Sequence, residues 1–357
     1  MGIGWARKTW GVVSLILPIK LPQKNPLFVA EIIIEYFPFR DILEGMKGKD
    51  LLSINDLEAE DIRLLITDAI SLKSQGWLDM LRGKSLAIMF EKPSLRTRVS
   101  FELAMRQLGG ETIYLSPAEV GLGGRESVPD VARVLSRYVD AIAARTFSHR
   151  TLEVLGEYSA VPVINALSDW EHPCQALADL LTIAEKKGEL QGLTLAFIGD
   201  GNNTARSLML AASLMGINFR IASPSGYAID EETLDLARSN FADGGVLCTE
   251  EPRLAVEGAD VVYTDVWASM GQEDEAKKRR KAFVKYQVDA ALFSLAKENA
   301  IFMHDLPAHR GEEVTDGVID GTRSVVCDQA ENRLHAQKAL LAAMLGGLEI
   351  PLAGFYR

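Results

Sequence analysis

From residue 85 onward the chain alternates short apolar runs with amphipathic segments, and that rhythm limits the folds open to it. SLAIMF (85–90), TIYL (112–115), DAIAAR (140–145) and VPVINAL (161–167) form a first series. The pattern restarts with LTLAFIG (193–199), FRIAS (219–223), DVVYTDV (260–266) and IFMH (301–304). Between the first two runs, Phe101, Ala104, Met105 and Leu108 repeat at i, i+3, i+4 and i+7, the spacing of one helix face. Further helices are expected over about 57–71, 131–138, 174–184, from 203, over 231–239, and over 331–345. Runs bounded by turns and separated by helices imply parallel sheets covered on both faces. The expected fold is α/β: two doubly wound parallel-sheet domains joined by helices. The charged stretch 185–191 is the natural boundary. It separates expected domains over 46–185 and 190–332.

The first 45 residues read differently. They are sticky and irregular (IIIEYFPF at 32–39) and show no alternation that places them in a sheet. They are expected to be a non-native or poorly ordered extension, regular text beginning at Met46. Trp10–Leu21 imitates a secretory signal but is broken by Pro18 and Lys20 and lacks a small-residue cleavage site. No run reaches the ~18 apolar residues of a spanning helix. The 357 residues carry 38 Lys+Arg against 49 Asp+Glu, a net charge of −11, which disfavours a nucleic-acid or membrane-surface partner. Three scattered cysteines (Cys174, Cys248, Cys327) make no CxxC pair and fit a reducing, cytoplasmic setting better than a disulfide or zinc framework.

Ligands of open parallel sheets sit beyond the carboxyl ends of strands, and the polar motifs lie there. After SLAIMF comes Ser94-Leu95-Arg96-Thr97-Arg98. A helix N-terminus, hydroxyls and guanidinium groups together suit a phosphate, although a Ser94 cap beside solvated arginines has the same spelling. Arg145 closes DAIAAR. His172 and Gln175 bracket Pro173 at a helix start, placed either to bond a carbonyl or simply to cap and pack. The turn Gly199-Asp200-Gly201-Asn202-Asn203-Thr204 is a partial dinucleotide fingerprint with Thr204 where the third glycine belongs. Asp265, Ser269 and Met270 follow DVVYTDV, offering an anion and a hydroxyl for an ammonium group. His304, Asp305 and Leu306 follow IFMH, and Arg333 opens the last helix.

Taken in order, SLRTR, HPCQ, GNN, DVWASMGQE, HDLPAHRGEEVT and QAENR resemble the ornithine carbamoyltransferase branch of the transcarbamylase family, from about Met46 to the C-terminus. The resemblance implies transfer of a carbamoyl group from carbamoyl phosphate to the δ-amine of L-ornithine, giving citrulline and phosphate, with no cofactor and no metal. It assigns Ser94, Leu95 (through its backbone), Arg96, Thr97, Arg145, His172, Gln175, Leu306 and Arg333 to carbamoyl phosphate. It assigns Asn203, Asp265, Ser269, Met270 and Asp305 to ornithine. Arg145, His172 and Asp305 are the expected catalytic groups, and 46–185 and 190–332 become the carbamoyl-phosphate and ornithine domains. The resemblance further implies that a C-terminal helix, 335–352, completes the first domain and that the active site lies in the cleft between the two. The resemblance also implies a homotrimer or an assembly of trimers.

Two departures bear on mechanism. Asp305 stands where many relatives carry cysteine, so a carboxylate would orient the amine while favouring its unreactive ammonium form. An activity optimum shifted to alkaline pH is expected. Gly121 replaces a residue that in some relatives reaches a neighbouring subunit's site. Competing readings are the same chemistry on putrescine or an N-acylated ornithine, an NAD-dependent oxidoreductase built on the GDGNN turn, and a non-catalytic homologue. The last would have lost the SLRTR arginines or His172, which are intact.

Overall fold

The computed structural model describes residues 45–122, 125–241, 245–268 and 275–346. The expected extension therefore lies almost wholly outside the described residues, as do residues 347–352 of the expected closing segment.

Two all-parallel sheets follow one another along the chain. The first has the order β2-β1-β3-β4, with β1 Ser85–Phe90, β2 Glu111–Leu115, β3 Ala141–Arg145 and β4 Val163–Leu167. The second has the order β7-β6-β5-β8-β9, with β5 Thr194–Ile198, β6 Asn218–Ala222, β7 Val246–Thr249, β8 Val261–Thr264 and β9 Ile301–Met303. The longer helices are α1 Ala59–Gln75, α2 Leu95–Gln107, α3 Val128–Leu135, α4 His149–Tyr158, α5 Pro173–Lys187, α6 Asn203–Leu214, α7 Glu231–Ser239, α8 Ala276–Phe283 and α9 Val326–Leu345.

The central strands are apolar throughout because both of their faces are covered. On β1, Leu86, Ile88 and Phe90 enter one core while Ala87 and Met89 enter another. On β5, Leu195 and Phe197 join the same core as Leu86, and Ala196 and Ile198 face a third. One core thus runs from the first sheet through α5, α6 and α9 to the second. The outer core on each side closes a three-layer α/β domain.

Each sheet reverses its winding direction once, between β1 and β3 in the first and between β5 and β8 in the second. Such switch points open crevices at the carboxyl ends of the strands. SLRTR and Arg145 flank the first crevice, and GDGNN and Asp265 flank the second.

Three local readings are corrected. Helix α3 lies three residues earlier than expected, because Ser127 caps it and Pro129 sits in its first turn. Helix α9 begins at Val326 rather than 331. The edge strand β7 left no clear mark in the sequence, since its residues are only partly buried.

Candidate active site

A cavity of about 1050 Å³ opens where the carboxyl ends of both sheets face each other. From the first half, Ser94, Leu95, Arg96, Arg145 and His172 line it. Asn203, Asp265, Asp305, Leu306 and Arg333 line it from the remainder.

Ser94 is the N-cap of α2, but its hydroxyl makes no capping bond. It donates instead to Thr97 Oγ1 (3.0 Å), which also accepts from Arg333 Nη2 (2.6 Å). The first-turn amides of α2 therefore keep their free donors beside Arg96, as an anion site needs. Leu95 is 76% exposed, so its side chain has no part in holding a ligand in the interior. Thr97 is wholly buried behind the cavity wall, where it positions Arg333.

Arg145 ends β3 at a register irregularity, where its strand partner jumps from Asn165 to Leu167. Bulges of this kind re-aim side chains. Its guanidinium is buried and its Nε has no partner. Burial, then the nearby Arg333, push its pKa down to about 10. Burial likewise lowers Arg333. A cationic cluster held this way favours an arriving dianion.

His172 is the N-cap of α5, fixed by its backbone N–H donating to Ser207 Oγ (2.9 Å). Burial and the two arginines, Arg333 ahead of Arg145, hold its pKa well below the usual range, so the imidazole is neutral at pH 7. A neutral imidazole polarises a carbonyl without adding another positive charge. Gln175 is set one turn back and does not line the cavity. Its Nε2 donates to Asp179 Oδ1 (2.8 Å), and its Oε1 is buried without a partner.

The opposite wall is anionic. Asp265 accepts from Asn202 Nδ2 (2.7 Å) and from the Val266 N–H (2.6 Å). Burial, then the neighbouring Asp305, push Asp265 well above the usual carboxylate range. Burial opposes ionisation of Asp305 as well, but His304 outweighs it and keeps that carboxyl low. The two carboxyls therefore titrate as one coupled pair, Asp265 being the one pushed up and Asp305 the one held low. Asn203 Nδ2 donates to the Ser168 carbonyl (2.7 Å). Leu306 adopts φ 58°, a strained left-handed conformation for a branched side chain, and its N–H donates to His304 Nδ1 (2.9 Å).

Asp265, His304 and Asp305 bring one potential metal ligand each within 4.8 Å of one another. Both oxygens of Asp265 and both ring nitrogens of His304 are already engaged, His304 Nε2 with Glu313 at 3.2 Å. Asp305 Oδ1 is left without a hydrogen bond, 3.4 Å from His304 Nδ1. That pattern suits a nitrogen cation or an amine better than a metal.

Ser269 and Met270 lie outside the described residues. Cavity residues that the motifs did not single out include Trp170, Arg206 and Arg279. Arg206 stacks on Trp170 and pairs with Asp230, while Arg279 pairs with Asp200 (2.6 Å). Nothing local in the sequence marked them, because each acts through a partner distant in the chain.

The glycine at 201 has a packing reason of its own. A Cβ there would collide with the backbone of Ala228 and Ile229, and the Gly201 N–H donates to the Tyr227 carbonyl (2.8 Å). The glycine admits this neighbouring loop, so it needs no dinucleotide to explain it.

Two parallel α/β domains meeting at a cleft with a guanidinium wall and a carboxylate wall define a group transferase that joins an anionic donor to an amine. Comparison with known proteins narrows the class. Residues 49–185 match the carbamoyl-P binding domain of aspartate/ornithine carbamoyltransferase, and residues 191–344 match its Asp/Orn binding domain. The chain is 52% identical over 311 residues to the ornithine carbamoyltransferase of Pyrococcus abyssi, covering 85% of this chain and 98% of that one. It is 53% identical over 303 residues to that of Bacillus subtilis, covering 84% and 95%. The solved structure of ornithine carbamoyltransferase from Pyrococcus furiosus superposes with a TM-score of 0.82 at 52% identity, covering 85% of this chain and 99% of that one. The chain belongs to the aspartate/ornithine carbamoyltransferase family, on its ornithine carbamoyltransferase branch.

Proposed function

We propose that the protein transfers the carbamoyl group of carbamoyl phosphate to the δ-amine of L-ornithine, giving L-citrulline and phosphate. The observation that carries this reading is the polarity of the cleft: Arg96, Arg145, Arg333 and neutral His172 face Asp265 and Asp305 across one cavity.

The donor's phosphate is held by Ser94, the first amides of α2, Arg96, Arg145 and Arg333. His172 donates to the carbamoyl oxygen, with Arg145 beside it, and the two stabilise that oxygen as it becomes an oxyanion. The δ-nitrogen attacks the carbonyl carbon, a C–N bond forms, and the C–O bond to phosphate breaks. The proton lost by nitrogen passes to Asp305 and leaves with phosphate. Asp265 and Asn203 take the α-substituents of ornithine, together with Ser269 and Met270. Holding both reactants in one cleft supplies much of the acceleration.

The reading extends to a cytoplasmic homotrimer or an assembly of trimers. Three unpaired cysteines support the compartment. Exposed apolar side chains on the first half, Val99, Ile113, Val134 and Tyr138 among them, support association. Among the described residues no helix is long and apolar enough to cross a membrane. The test is citrulline formation by the full-length chain, with putrescine as the competing acceptor. Ornithine should be used and putrescine refused; the reverse would overturn the acceptor assignment.

A further inference from the structure

Asp179 is wholly buried on the second turn of α5 and does not line the cavity. Its hydrogen-bond partners are all donors and none is a cation: Gln175 Nε2 (2.8 Å), Gln329 Nε2 (2.7 Å) and the Tyr263 hydroxyl (3.2 Å). A carboxylate only accepts, so it dictates which way each neighbouring amide faces. Gln175 must turn its NH₂ toward Asp179, which leaves its Oε1 buried and free. Gln329 must turn its NH₂ toward Asp179 and Tyr263 (3.0 Å), which leaves its Oε1 to accept the His304 N–H (2.9 Å). The chain of bonds therefore runs from the helix turn that starts at His172 to the loop that carries Asp305 and Leu306.

We propose that Asp179 is a positioning residue for carbamoyl transfer: without touching substrate, it sets the Gln175 amide on the donor side and, through Gln329, anchors the Asp305–Leu306 loop on the acceptor side. The inference deepens the reading above and rests on it. A buried carboxylate with no cation among its hydrogen-bond partners is costly, and burial pushes this one up to about 7 against the pull of its donors. An apolar residue here would leave the Gln175 and Gln329 amides and the Tyr263 hydroxyl without that acceptor. The retained carboxyl group has its use in orienting amides on both sides of the cleft.

The test compares two replacements of Asp179 in the full-length protein. Asp179→Leu, close in shape, removes the one oxygen that accepts from both Gln175 and Gln329, so neither amide is held. Asp179→Asn can keep an oxygen toward both amides and turn its NH₂ toward the Tyr263 hydroxyl, which can accept. Asp179→Leu should lose about 10- to 100-fold in kcat with KM for ornithine within about twofold, and Asp179→Asn should keep most of the wild-type rate.

Full kcat in Asp179→Leu would overturn the inference. So would an Asp179→Asn variant no better than Asp179→Leu, or kcat losses that only track melting temperature. If the wild-type chain forms no citrulline, the functional reading fails first and the positioning role falls with it. Activity in the wild type with an unaffected Asp179→Leu sinks the positioning role alone.

Discussion

Arg145 shows what the site costs the protein. Its Nε is buried without a partner, and its pKa is pushed down to about 10 by burial and the neighbouring Arg333. A cation whose pKa falls on folding detracts from stability at every pH below the folded value, including neutrality. Arg145→Met should therefore melt no lower than wild type at pH 7.5, while kcat/KM falls by about 10²-fold or more. A clearly lower melting temperature would show that the guanidinium stabilises the fold. Asp305 carries the second residue-level prediction. An amine near ~10.4 must lose a proton before it attacks, and an adjacent carboxylate raises that requirement. Asp305→Cys removes the anion, so the rising limb of kcat should move to lower pH by about one unit or more. Coincident profiles would remove Asp305 from the amine. With aspartate at this position the site has no accessible thiol. Cys248 and Cys327 are exposed away from the cavity, and burial pushes Cys174 up to about 12. Iodoacetamide should leave the wild-type rate within about twofold, because thiolates are what alkylate.

At the scale of elements, the anion site is the first turn of α2, and its backbone is testable. Leu95 is the first helical residue and Ser94 before it is already extended (φ −153°, ψ 119°). Proline fits that place in a helix and accepts such a neighbour, yet it deletes one N–H. Leu95→Pro should raise KM for carbamoyl phosphate by about tenfold relative to Leu95→Ala, with the melting temperature little changed. Equal KM values would remove that amide from the phosphate. The strands that frame this site were legible because SLAIMF and TLAFI are buried on both faces, so nearly every residue carried the signal. β7 was not, because an edge strand with exposed Leu247 and Cys248 spells nothing distinctive. The early start of α9 was hidden for the opposite reason. Gln329 is polar but fully buried in the Asp179 network, and a polar residue inside a core reads as surface until its partners are known. Ser94 and Arg96 of SLRTR, Arg145, His172 of HPCQ, Asp265 and Asp305 could be found because polar residues at or soon after the ends of apolar runs stand out, and Arg333 through the QAENR motif inside α9. Thr97 and Gln175 share those motifs but lie behind the wall, a difference of one helical turn that spelling does not record.

Taken whole, the molecule is acidic, at −11, yet concentrates guanidinium groups where two sheets turn their carboxyl ends toward one cavity. The repeated α/β pattern foretold two such sheets, but the pairing of a cationic wall with an anionic one arises only when they face each other. Apolar side chains left exposed on the first half should be covered by copies of the chain, so sedimentation at micromolar concentration should report a trimer or a multiple of it. A monomer there would overturn the assembly. The most direct measurement is product formation by purified full-length protein as each substrate is omitted in turn. Citrulline and phosphate should appear in equal amounts, only with carbamoyl phosphate and ornithine both present, and faster as pH rises above neutral. Phosphate released at the same rate without ornithine, or no citrulline at any pH, would contradict the account.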